Sequence, residues 1–148
     1  MNNDLIEAQV VAVRIACGLL RGLHLKALED SVEQACGLPY ASGWERKAAA
    51  HAAIFNVLAD ASGDPVVAPV LSSGVGLSYD LMIAAGRGAD GMIASSRRRL
   101  LAHLRAGDVE EAMQEIEEHL HVLYFMYRMA AGTRAAIKNT AAEPSLER

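Results

Sequence analysis

Apolar residues in this chain return every three or four positions and almost nowhere at every second position. From Asp4 to Leu20 the stripe Leu5, Val10, Val13, Ala16 and Leu20 has the spacing of an amphipathic helix and not that of a half-buried strand. Composition points the same way. The chain is 52% hydrophobic but only 5% aromatic, a balance that suits packed helices better than a β-sandwich, whose strands favour β-branched and aromatic residues. Its 148 residues are enough for one domain with a real core.

The punctuation divides this pattern into helices. A first helix covers residues 4–20. A second, "HLKALEDSVEQACG", ends at Gly37, placed as a C′ glycine. Ser42 or Gly43 opens a third from Trp44 to Ala61, which "SGDP" stops, and Pro65 suits the first turn of the next. Residues 66–85 are apolar but hold Pro69, Gly74 and Gly76, so a bent or locally broken helix is expected. "GRGADG" (86–91) is expected to be a flexible linker. A fifth helix runs from Met92 to Arg105, and Asp108 with Glu111 forms a capping-box-like start for the last. The last helix fades by Lys138, leaving residues 139–148 as a polar tail. The expectation is an all-α fold, a single antiparallel bundle of about six to seven helices around a central ligand cavity, occupying residues 1–138. Met113, Leu123, Phe125, Met126 and Met129 are expected in its core.

Charge and cysteine use narrow the function classes. Fourteen basic against eighteen acidic residues give a net charge of -4, which offers no electrostatic footprint for nucleic acid. Cys17 and Cys36 lie in apolar stretches with no CxxC spacing and read as buried thiols of a reducing compartment. No apolar run is read as reaching the roughly 20 residues of a membrane span, and "MNNDLIEA" has no basic leader. A cytoplasmic protein is expected.

Two segments carry a resemblance. "HAAIFNVLADASGDPVVAPVL" (51–71) and "SRRRLLAHLRAGDVEEAMQEIEEHL" (96–120), with "LIEAQVVAVRIA" (5–16) before them, resemble the effector-binding (FCD) domain of GntR-superfamily transcription regulators, in the fatty-acid-regulator branch. In the metal-binding members of that family an Asp and a His one turn apart join two later histidines around a divalent ion. Counting from Gly63 and Gly107, those positions fall here on His51, Phe55, Arg97 and His119. Only His119 keeps the family's residue. A phenyl ring cannot donate, and a guanidinium repels a cation, so no metal is expected.

The resemblance implies instead a pocket that binds its effector directly. Arg97 could grip a carboxylate with two parallel hydrogen bonds, His51 and His119 add donors, and Phe55 gives an apolar wall. Gln9 stands where the family's first helix carries an arginine. Arg97 belongs to a basic run (97–99) that could be ordinary surface, but it shares a helical stripe with Leu100, Leu101 and Leu104. His119 could equally be a core histidine; His121, about 200° round the helix, should point elsewhere. The implied function is ligand sensing: a small anionic metabolite would bind without metal or cofactor. DNA would be reached only through a winged-helix domain not in this chain, and a homodimer is expected. No catalytic residue is assigned. The alternatives are a standalone helical binding protein or enzyme using His119 and His51, or a structural dimerisation module.

Overall fold

The computed structural model describes residues 3–20 and 22–142, and those residues contain no strand. Seven α-helices follow one another: α1 (Asn3–Leu19), α2 (Gly22–Gly37), α3 (Trp44–Ala52), α4 (Ile54–Ser62), α5 (Val67–Ala85), α6 (Asp90–Arg105) and α7 (Val109–Ala142), with short 3-10 turns at Tyr40–Ser42 and Arg87–Ala89. They form an all-α bundle, as the periodicity requires. The amphipathic stripes meet in one core that includes Ile6, Val10, Val13, Leu28, Val32, Leu58, Leu71, Leu81, Leu100, Leu101 and Leu120.

Several boundaries differ from expectation. The stretch expected as one helix to Ala61 is broken at Ala53, whose N–H donates to the carbonyls of both Ala49 and Ala50 while its own carbonyl accepts from Asn56. This tight turn contains neither Pro nor Gly, so nothing local in the sequence marks it. Conversely, α5 is unbroken. Pro69 falls in its first turn, where a missing N–H leaves no helical bond unmade, and Asp64 Oδ1 caps that turn by accepting from Val66 (2.7 Å) and Val67 (3.1 Å). Gly63, at φ 58°, supplies the left-handed residue that ends α4. The expected linker over 86–91 is instead a 3-10 turn followed directly by α6, which starts at Asp90. The last helix continues past Lys138 to Ala142, and the rest of the expected tail lies outside the described residues.

Helix α5 packs against α1, α3, α4 and α7 and is the hub of the bundle. It is also long and apolar enough, with a mean hydropathy of 1.4 over its best window, to pass a length-and-composition test for crossing a membrane. This corrects the expectation that no run reaches that length. On α7, Leu123 is buried, but Phe125 is 63% and Met129 58% exposed. They share with Val122 the face opposite Leu120, and so do not belong to the core as expected.

Candidate functional site

The stripe of α6 carries Arg97 inward beside Leu100, Leu101 and Leu104, and only 1% of its surface remains exposed. Its neighbours diverge as helical geometry demands: Arg98 is exposed, and Arg99 reaches Glu115 on α7 at 2.8 Å. The guanidinium of Arg97 donates to one group, the backbone carbonyl of His51, at 3.3 Å. That carbonyl is among the last four of α3, which have no partner inside their own helix, so the break at Ala53 exposes it to Arg97. Arg97 Nε has no partner, and no carboxylate lies within ion-pairing distance among the described residues. Burial lowers its pKa to about 10, which leaves it cationic at neutral pH.

His51 is fully buried on α3. Its Nε2 lies 3.5 Å from Asp90 Oδ1, and Asp90 Oδ2 lies 3.5 Å from Lys47 Nζ. Both distances allow electrostatic pairing but are too long for good hydrogen bonds. Lys47, one turn before His51 on the same face, also donates to Leu38 O at 2.7 Å and lies over the Tyr40 ring. Burial, then the charge of Arg97, pull the His51 pKa down to about 4, against the weaker upward pull of Asp90. His119, on α7, is 5% exposed with Nε2 unpartnered. Burial first, and then Arg97 and His51, hold its pKa well below the ordinary imidazole value. Both histidines are therefore neutral at pH 7. His121, by contrast, points out and meets Glu7 at 2.9 Å.

Phe55 and Gln9 are also buried, and they meet α5 at Gly74. A Cβ there would lie 2.5 Å from Gln9 Oε1 and 2.7 Å from Phe55 Cδ1. Trp44 Nε1 donates to Met82 O at 3.1 Å. The α3–α4 stretch therefore runs antiparallel to α5. The Ser78 hydroxyl is buried without a partner.

All five residues singled out in the sequence (Gln9, His51, Phe55, Arg97 and His119) are buried. Arg97, His51 and His119 are close enough to perturb one another. With Lys47 and Asp90 offsetting each other and both imidazoles neutral, Arg97 leaves the group with an unbalanced positive charge. Within that group His51 Nδ1, Arg97 Nε and His119 Nε2 are buried with no partner among the described residues. Buried polar atoms seldom go without partners. Among the described residues no three His, Cys, Asp or Glu side chains are grouped to hold a metal ion. His119 and Ser96 also line a small cleft of about 90 Å³ between α6 and α7. Sequence reasoning missed Asp90 and Lys47. The spacing of Lys47 from His51 was a usable signal, but Asp90 was hidden in a glycine-rich stretch taken for a linker. Compared with known proteins, the chain matches no family model, no curated protein and no solved structure.

Proposed function

We propose that this chain is the ligand-sensing domain of a GntR-type transcription regulator, binding a small carboxylate-like anion inside the bundle without a metal. One observation carries the proposal: Arg97 is a fully buried cation with no anionic partner among the described residues. An unpaired charge in a protein interior is costly, and an incoming carboxylate would neutralise it with a two-pronged contact. The two neutral histidines fit this role because neither adds a charge that a monoanion would leave unbalanced. In this reading the domain works as a homodimer in the cytoplasm. DNA binding belongs to an attached winged helix, and ligand binding biases the orientation of that domain by favouring one arrangement of the helices.

The test is calorimetry with small organic acids, beginning with acetate, on the parent and on Arg97→Ala, Arg97→Lys and Arg98→Ala. Arg97→Ala should cost about 2–4 kcal/mol of binding. Lys should recover part of that, since an ammonium lacks the fork, and the exposed Arg98 should be replaceable. Arg99 is not a neutral control because it pairs with Glu115. Equal binding by the parent and Arg97→Ala sinks the proposal.

A further inference from the structure

A groove of about 500 Å³ runs between α1 and α5, within the range typical of small-molecule sites. Ala8, Val70 and Leu77 form its apolar walls, and Gln9, Ser73 and Asp80 supply its polar groups. What those polar groups have left to offer can be counted. The two amide hydrogens of Gln9 are committed to Val70 O (2.6 Å) and Ser73 Oγ (3.2 Å), and the Ser73 hydroxyl donates to Val70 O (2.6 Å). The opposite amide orientation would set Gln9 Oε1 against the Val70 carbonyl, so the pattern also fixes which end of the amide is which. Every side-chain donor of the groove is spent on α5, and the exposed acceptor that remains is Asp80. Gln9 Oε1 is buried beside Gly74, away from a ligand's reach. Among the described residues Asp80 is in no ion pair, although it also borders a neighbouring hollow lined by Arg134.

We propose that this groove is a second binding site, for an apolar molecule with an ammonium head: apolar walls hold the body, and Asp80 receives the cation. It is opposite in preference to the Arg97 site and does not depend on it. A carboxylate would find no free side-chain donor there and would face Asp80.

The proposal can be tested by titrating the full chain with hexylammonium, 1-hexanol and hexanoate while following amide shifts along α1 and α5 by NMR. Hexylammonium should bind about 5-fold more tightly than hexanol, the scale of a partly exposed ion pair, and hexanoate more weakly than either. Asp80→Asn should bring hexylammonium down to the level of hexanol. Ala8→Trp, at an exposed position on the groove wall, should fill the groove and abolish binding while helicity stays unchanged. Three outcomes overturn the proposal: hexanoate binding as well as hexylammonium, Ala8→Trp binding like the parent, or a dimer that Ala8→Trp dissociates and that takes up no amine. The last would make the groove an interface between copies of this chain.

Discussion

Arg97 poses a question of sign as well as of role. Its pKa, lowered to about 10 by burial, implies that holding the charge inside costs on the order of 3 kcal/mol. Its hydrogen bond to the His51 carbonyl returns about 1–2 kcal/mol. Arg97→Met keeps the volume, removes the charge and leaves that carbonyl unbonded, so the variant should be more stable than the parent by about 1–2 kcal/mol in urea unfolding, while losing any response to acetate. A loss of stability would mean that Arg97 is a structural anchor and that its charge is adequately solvated. The inward turn of Arg97 was legible from its stripe with Leu100, Leu101 and Leu104, because a helix fixes direction from spacing alone. The company it keeps was not legible. The Asp90–Lys47 pair is assembled from α3 and α6, and no periodicity reports which two helices will touch.

Helix by helix, periodicity found most of what the structure contains and failed where packing overrides it. No local signal marks the turn at Ala53, yet that turn presents the His51 carbonyl to Arg97. Glycine was misjudged in the other direction: Gly74 and Gly76, with Pro69, suggested a bent or locally broken α5, but the helix has no break and the two glycines face opposite ways. Gly74 is buried where α1, α4 and α5 meet, and a methyl there would overlap Gln9 and Phe55. Gly74→Ala should therefore cost about 1–3 kcal/mol. At Gly76 an added methyl meets nothing within 4 Å, and Gly76→Ala should gain about 0.5–1 kcal/mol, the helical advantage of Ala over Gly. Chemical denaturation of the two variants separates these effects. If both change stability in the same direction, the packing of α1 against α5 is not as described.

Across the whole molecule, the buried neutral histidines make folding depend on pH in a set direction. Unfolded, His51 titrates near its ordinary value of 6.5; folded, it does so at about 4. Between those values the unfolded chain binds the proton and the native chain does not, so stability rises with pH across that window. The contribution of His51, on the order of 3 kcal/mol, is complete above about pH 6.5 and is lost as pH falls toward 4. His119 is depressed in the same direction and should steepen the loss. Both histidines are held neutral partly by the positive field of Arg97, so an anion bound to Arg97 would relax that repulsion and raise both pKa values. Binding of acetate near pH 5 should then take up protons, and acetate should stabilise the fold more at pH 5.5 than at pH 7.5. Urea unfolding at these two values, with and without acetate, reads both effects, and His51→Gln should flatten the ligand-free pH dependence. A parent whose stability is constant from pH 7.5 to 5 would show that the two imidazoles are solvated rather than buried, and the positive interior on which anion binding depends would fall with it.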